Sequence, residues 1–419
     1  MSQVNSSIPT TAWTGGQYSL YRILLGCYLF VHFVFLLAWG TEVFSNEGTI
    51  ADAAVSPTLT PLNIFAYADS PVAVGLVLTV AVQATVFFTM GWHDKIAALV
   101  LWYIWAAMFG RNPLTLNPGQ PFIGWLLLVH VALPGSPYGS FTARARVDPD
   151  GGWRMPRSIY IVAWVVMALG YSYSGFTKLV SPGWVNGDAL QSVLNNPLAR
   201  PGIARDLLLA SPPLLLKLGT WGGLACELLF APLALFKPLR PLMWGAMVLM
   251  HLSLICLVQF AELSVGMLFI HLFTFNPKWL AARKRAERAT VFYDGDCGLC
   301  HRAVRFVLAE DREDLFRLSP LQSAEFSRLV PESMRKDLPD SIVVWTGSGT
   351  LLVRSSAVVY ILGELGGLWR IVAWLLRMVP TAVRDWGYDQ VARVRKQIFA
   401  KPKDVCPLMP TELRERFVF

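Results

Sequence analysis

Val291-Phe-Tyr-Asp-Gly-Asp-Cys297-Gly-Leu-Cys300-His-Arg-Ala-Val-Arg-Phe306 decides how the C-terminal part of the chain folds. A short apolar run, Val291 to Tyr293, reads as a strand. It enters a glycine-containing turn, and a helix is expected to open at the cysteine pair. The amide groups and partial positive charge of a helix N-terminus stabilise a thiolate, the reactive form of cysteine. Cys297 is therefore the expected nucleophile, and Cys300, one turn on, the thiol that closes the disulfide. Two other readings compete. Zinc would need four ligands, and no second cysteine pair follows, while His301 stands too close in sequence to serve easily beside both thiolates. An inert structural pair seldom sits at the mouth of a strand-to-helix turn.

Working outward, the pattern after this turn predicts a thioredoxin-like α/β domain. A strand from Phe316 to Leu318 follows the active-site helix, a short helix runs near Ser323 to Val330, and the run from Ser341 to Trp345 pairs with Thr350 to Val353 through a hairpin at Thr346-Gly-Ser-Gly-Thr350. Pro339, just before a strand, is a candidate for a cis proline facing the dithiol, with an ordinary trans turn as the alternative.

Upstream the chemistry changes. Across 419 residues the chain is 54% hydrophobic and only 15% charged, which points to a bilayer protein and away from a soluble multidomain enzyme. The bias is concentrated between about 20 and 277, whereas the segment from about 283 onward is rich in Arg, Asp and Glu. The expected organisation is a polytopic α-helical membrane domain over residues 1–282, a basic junction at Arg283 to Arg288, and a thioredoxin-like domain over 289–419. Eight spans are expected, at roughly 18–40, 71–91, 96–110, 121–134, 158–177, 212–236, 241–260 and 262–276. The first apolar run has no basic leader and no evident cleavage site, so it reads as the first span and not as a signal peptide.

Charge gives an orientation. With the N-terminus inside, the inner loops hold Lys95, Arg144, Arg146, Arg154, Arg157, Lys237, Arg240, Lys278, Arg283, Lys284, Arg285 and Arg288, against Arg111, Lys178, Arg200 and Arg205 outside. Such asymmetry places the C-terminal domain in the cytoplasm. The net charge of +8 is thus a topology signal and not a nucleic-acid footprint.

Within the spans, Cys27, Cys226 and Cys256 read as small buried apolar residues. Cys406 sits in a polar tail, where it would either resolve a mixed disulfide or be spare. His32, His130, His251 and His271 read as hydrogen-bonded bundle residues, with ligand or relay roles as the sharper alternative. Glu227 must be protonated or paired at that depth, and Lys178 is a conceivable partner. Lys178 itself has a plain explanation, snorkelling to the interface beside Trp184, and a sharper one, a partly desolvated base.

Two resemblances follow from particular residues. The motif Asp294-Gly-Asp-Cys297-Gly-Leu-Cys300, with Pro320-Leu-Gln-Ser, Leu338-Pro-Asp-Ser, Arg354-Ser-Ser-Ala and the closing Cys406-Pro-Leu and Arg414-Glu-Arg-Phe417, resembles the DCC family of thiol-disulfide oxidoreductases over about residues 289–419. That resemblance implies dithiol exchange, with Asp294, Cys297 and Cys300 as site residues. Ser174, Gly175, Lys178, Leu179 and Trp184, with the run from His251 to Pro277, resemble the vitamin K-dependent gamma-carboxylase family and its bacterial HTTM relatives over roughly 15–280. In those carboxylases the lysine matching Lys178 is the proposed base, which makes Lys178 a candidate catalytic residue. The departures are a loop, Arg111 to Gln120, without the family's functional histidine, and the missing lumenal region that engages substrates.

The expected function is an integral membrane thiol-disulfide oxidoreductase, in a bacterial inner membrane, exchanging electrons with a hydrophobic redox carrier or a thiol/disulfide protein. No covalently bound cofactor is expected, and a quinone or vitamin K-like quinol is the candidate lipid-soluble one. The alternatives are a carboxylase-like enzyme using Lys178 and a non-catalytic membrane binding or assembly protein.

Overall fold

The computed structural model describes residues 11–52, 55–281, 287–294, 298–336, 338–339, 341–398 and 411–419. Two compact units are present. One comprises 21–133 and 156–275 together with the first residues of the chain, and the other comprises 11–20, 134–155 and 276–419.

The first unit is helical. Its long elements are α1 (Gly15–Phe44, whose first turns group with the second unit), α2 (Pro71–Met90), α3 (Asp94–Arg111), α4 (Gln120–Ala132) and α5 (Arg157–Lys178). The short α6 (Pro182–Val185), α7 (Ala189–Leu194) and α8 (Ile203–Leu209) lead to α9 (Pro213–Ala234), α10 (Arg240–Leu257) and α11 (Glu262–Thr274). Local chemistry sets the ends. The Ser70 hydroxyl accepts from the Ala73 amide, Pro71 occupies the first turn, where its missing N–H costs nothing, and Gly91 closes α2 at φ 69°, a left-handed cap that suits glycine.

Among the described residues, α1, α2, α5, α9 and α10 are long and apolar enough to cross a bilayer. The expected count of eight is not reached by length and composition. The spans anticipated at 121–134 and 262–276 are helices of 13 residues. At about 1.5 Å per residue these cover roughly 20 Å, short of the ~30 Å hydrocarbon core. The one expected at 96–110 is α3, whose ends carry Asp94, Lys95 and Arg111.

Packing in this unit depends on small residues and satisfied carbonyls. A Cβ at Gly175 would lie 2.5 Å from the Leu228 nitrogen, so α5 and α9 touch backbone to backbone there. Arg111, fully buried, donates to the carbonyls of Ser45 and Ile50 at 3.1 and 2.6 Å, and Asn112 donates to that of Val43 at 3.0 Å. The loop after α3 therefore has a structural task, tying down the end of α1.

The second unit holds a four-stranded sheet of order β2-β1-β3-β4. Its elements are β1 (Ala289–Tyr293), α12 (Gly298–Glu310), β2 (Phe316–Pro320), α13 (Ala324–Leu329), α14 (Glu332–Arg335), β3 (Val343–Trp345), β4 (Leu351–Val353), α15 (Arg354–Leu365), α16 (Gly367–Met378), α17 (Thr381–Ile398) and α18 (Thr411–Arg414). β1 pairs parallel with β2, in register Val291 with Leu318, and antiparallel with β3, Val291 with Val344. A parallel pair needs a crossover, which α12 supplies. This mixed sheet, with helices, is consistent with a thioredoxin-like domain.

All five residues of β1 are buried, because the sheet is covered on both faces. Val291 and Tyr293 pack with Val304, Val307, Leu308, Phe316, Ala357 and Ile361 on one side, while Phe292 packs with Phe326, Val330 and Val343 on the other. The hairpin at Thr346 to Thr350 is closed by Thr346 N to Thr350 O at 3.0 Å.

Candidate functional site

β1 ends at Tyr293, Asp294 follows half-buried, and α12 starts at Gly298. The expected strand and helix are both in place on either side of residues 295–297, which lie outside the described residues. Cys297 and Cys406 lie outside the described residues, as do the Cys300 side chain and the junction 282–286; the Cys300 backbone sits in the first turn of α12. That first turn presents amides without intrahelical partners, and a negative charge gains from them. One turn inside, the His301 ring stands 5.8 Å from that of Tyr293, at 66°, and Tyr293 in turn meets Phe417 edge-on.

What fixes this helix is at its other end. Glu310, 4% exposed, accepts hydrogen bonds from the Thr14 hydroxyl, from the Gly16 amide at 2.8 Å and from Trp369 Nε1 at 2.6 Å. Gly16 lies in the first turn of α1, so a carboxylate nearly three hundred positions away caps that helix. Burial pushes the Glu310 carboxyl up from its ordinary value, while the three donors and nearby Arg312 pull the other way. Arg312 donates to the carbonyls of Trp13 and Trp153, both at 2.9 Å.

The closing motif that ends in Phe417 is structural too. Leu318 N donates to Arg416 O and Val418 N to Leu318 O, both at 2.9 Å, so the tail adds to the edge of β2. Arg416 pairs with the buried Asp311, whose carboxylate also accepts from the amides of Leu315 and Phe316. Burial raises the Asp311 carboxyl and Arg416 opposes that rise.

The helical unit gathers the remaining candidates. Lys178 Nζ reaches Glu227 Oε1 at 2.6 Å and Oε2 at 2.5 Å, and lies 4.4 Å over the Trp184 ring. The pairing conceivable from sequence is thus present. His251 and His271, which share no helical spacing, meet through the Tyr171 hydroxyl, 2.7 Å from His251 Nε2 and 3.5 Å from His271 Nδ1. His251 Nδ1 continues to Ser264 at 3.3 Å. His130 Nε2 and the buried Arg22 both face Asp94, at 3.4 and 3.6 Å. His32 Nδ1 faces Glu262 Oε1 at 3.0 Å. Cys27, Cys226 and Cys256 are free thiols, Cys27 and Cys256 exposed and Cys226 half-buried, which corrects the expectation that all three are buried.

Sequence reasoning did not single out Glu262, Glu310 or Asp94, and Tyr28 and Tyr171 went unassigned. A weak signal existed for one of them: Tyr28 and His32 are four apart, on one face of α1.

Comparison with known proteins bears on the second unit. Residues 291–401 match the family described as DCC1-like thiol-disulfide oxidoreductase. An uncharacterized protein of Bacillus subtilis, YuxK, is 33% identical over 129 residues, which is 92% of that protein and 30% of this chain. A chloroplastic DCC family protein of Arabidopsis thaliana is 32% identical over 122 residues, covering 70% of it and 29% of this chain. No solved structure gives a significant match.

Proposed function

Since the chain belongs, through its C-terminal domain, to the DCC1-like thiol-disulfide oxidoreductase family, we propose that it is a membrane-embedded dithiol oxidoreductase with Cys297 and Cys300 as the exchanging pair. The observation that supports this reading is the succession of β1 and α12, with the Cys300 backbone in the helix's first turn. In the proposed cycle the Cys297 thiolate attacks one sulfur of a substrate disulfide, and the other sulfur leaves as a thiolate and takes a proton. The Cys300 thiolate then attacks the mixed disulfide, releasing a reduced substrate and leaving Cys297 and Cys300 joined. With a quinone as the oxidant in place of the disulfide, the reduced pair likewise gives up two electrons and two protons, leaving Cys297 and Cys300 joined and producing a quinol. Asp294 is half-buried where the strand ends, three positions before Cys297, and we assign it the task of handling the exchanged proton.

The membrane assignment rests on the five long apolar helices. The partners proposed on this basis are the bilayer, a hydrophobic redox carrier and thiol or disulfide proteins, with the dithiol domain on the cytoplasmic side. That reducing compartment favours the pair as an electron donor. A carboxylase-like reaction with Lys178 as base ranks second, because both oxygens of Glu227 already engage Lys178 Nζ.

The test is a redox titration of the whole chain in detergent with quinone present. Thiol-dependent quinone reduction is expected to vanish in Cys297→Ser and to persist in Lys178→Met. Unchanged reduction in Cys297→Ser would refute the dithiol reading, and loss in Lys178→Met alone would favour the lysine.

A further inference from the structure

The helical unit contains a polar pair whose hydrogen bonding is incomplete. Tyr28 and His32 stand one turn apart on α1 and line a cavity of about 280 Å³ with Glu262, Phe35 and Trp39. An apolar cavity of about 150 Å³ already admits a benzene ring, so this one has room for an aromatic head. His32 Nδ1 lies 3.0 Å from Glu262 Oε1, and Gln120 Nε2 donates to Glu262 Oε2 at 3.4 Å. An ionised carboxylate only accepts, so when the ring is neutral Nδ1 carries the hydrogen and Nε2 is left with a lone pair.

That lone pair is buried: the His32 side chain is 10% exposed, and neither its Nε2 nor the Tyr28 hydroxyl has a hydrogen-bond partner among the described residues. Buried polar atoms without partners are disfavoured in folded proteins. One hydroxyl oxygen would satisfy both, donating to His32 Nε2 and accepting from Tyr28. The rim is apolar, with Phe35 70% and Trp39 61% exposed on a helix long enough to span a bilayer, so access is from lipid. Among the described residues no lysine or arginine lines the cavity, and Glu262 repels anions, which selects a neutral ligand.

We infer that this cavity is a binding site for the hydroxylated head of a lipid-soluble quinol, with His32 as hydrogen-bond acceptor, Tyr28 as donor and Glu262 as the group that fixes the His32 tautomer. The inference rests on the proposed exchange of electrons with a lipid-phase carrier and adds a direction to it. A quinol offers the O–H that Nε2 needs, whereas a quinone has only acceptors. The site therefore holds the reduced form more tightly, and a tenfold preference raises the potential of the bound two-electron couple by about 30 mV. A bound quinone is thereby made a stronger oxidant of a dithiol.

The test is equilibrium binding of a decyl-substituted benzoquinol, its dimethyl ether and the corresponding quinone to the whole chain in detergent, read by tryptophan fluorescence. Trp105, whose ring is 4.9 Å from that of His32, is a built-in reporter. The quinol is expected to bind at least tenfold more tightly than the ether or the quinone. His32→Phe should remove that preference, and Tyr28→Phe, which keeps the ring, should reduce it severalfold. Equal binding of quinol and ether to the unaltered protein would overturn the inference without any variant, as would a preference that survives His32→Phe. Cys297→Ser should leave quinol binding intact. Failure of quinol selectivity alongside normal Cys297-dependent exchange would therefore sink only this site, and the converse result only the dithiol reading.

Discussion

Replacing Glu310 by alanine should unfasten the active-site helix at the end remote from the thiols. Three donors converge on this carboxylate: the Thr14 hydroxyl, the Gly16 amide and Trp369 Nε1. A buried donor left without an acceptor costs about 1–3 kcal/mol, and partial hydration of the space left behind recovers some of that, so about 3–5 kcal/mol is expected for the three. The assay is amide hydrogen exchange on peptides covering 11–20 and 298–310. A loss of about 3 kcal/mol makes exchange through that opening roughly a hundredfold faster. Exposed Glu332, on α14, supplies the control, since Glu332→Ala should stay within about 0.5 kcal/mol of the parent. Gly16 exchange in Glu310→Ala within about threefold of the parent would refute the capping argument. Acidity supplies a second reading of the same group. Burial holds the folded Glu310 carboxyl above its ordinary value of 4.5. A raised folded pKa gives stability that is complete below about 4.5 and lost as pH climbs through the folded value. The stability of the parent relative to Glu310→Gln should accordingly fall with rising pH above about 4.5, and a rise would show that the donors outweigh burial.

Arg416→Met leaves Asp311 buried without its cation and should cost about 3–5 kcal/mol, seen as a lowered Tm and faster proteolysis of the tail after Thr411. Gly175→Ala drives a Cβ to 2.5 Å from the Leu228 backbone and should destabilise the α5 and α9 contact by about 1–3 kcal/mol, measurable as a lower Tm in detergent. Glu227→Leu should destabilise the helical unit more than the double variant Glu227→Leu/Lys178→Met does, because only the single variant strands a half-buried ammonium; a thermal-shift cycle on the four proteins decides this.

What could be read from the sequence was what neighbours along the chain decide. Val291 to Tyr293 and the run after Ser341 showed as strands because branched and aromatic residues lie between turn formers, and Thr346 to Thr350 showed as a hairpin by its glycines. The count of eight spans goes unconfirmed where apolar character continues but length does not, as at Gln120–Ala132, because composition does not reveal where a helix stops. Partners remote in sequence were also invisible. Glu310 reads as an ordinary acid at the end of an amphipathic helix, and nothing local announces Thr14, 296 positions away. Arg416 was quoted as part of a motif, yet its partner Asp311 lies 105 positions upstream. Lys178 was a conceivable partner for Glu227 because a carboxylate inside a span must be protonated or paired, but the sequence could not place the two together.

Counting donors and acceptors separates the polar groups that hold the fold from those placed to receive a ligand. Glu310 has three donors, Asp311 has an arginine and two backbone amides, and Lys178 is taken by both oxygens of Glu227. These groups are engaged, and removing one member of each set should cost stability before it alters specificity. His271 Nε2 lacks a partner but belongs to a residue that is fully buried, so nothing could reach it without the bundle opening. At Tyr28 and His32, among the described residues, unmet hydrogen bonds coincide with a cavity and an apolar rim. Each orphaned atom there carries a cost that a bound ligand would recover on occupancy.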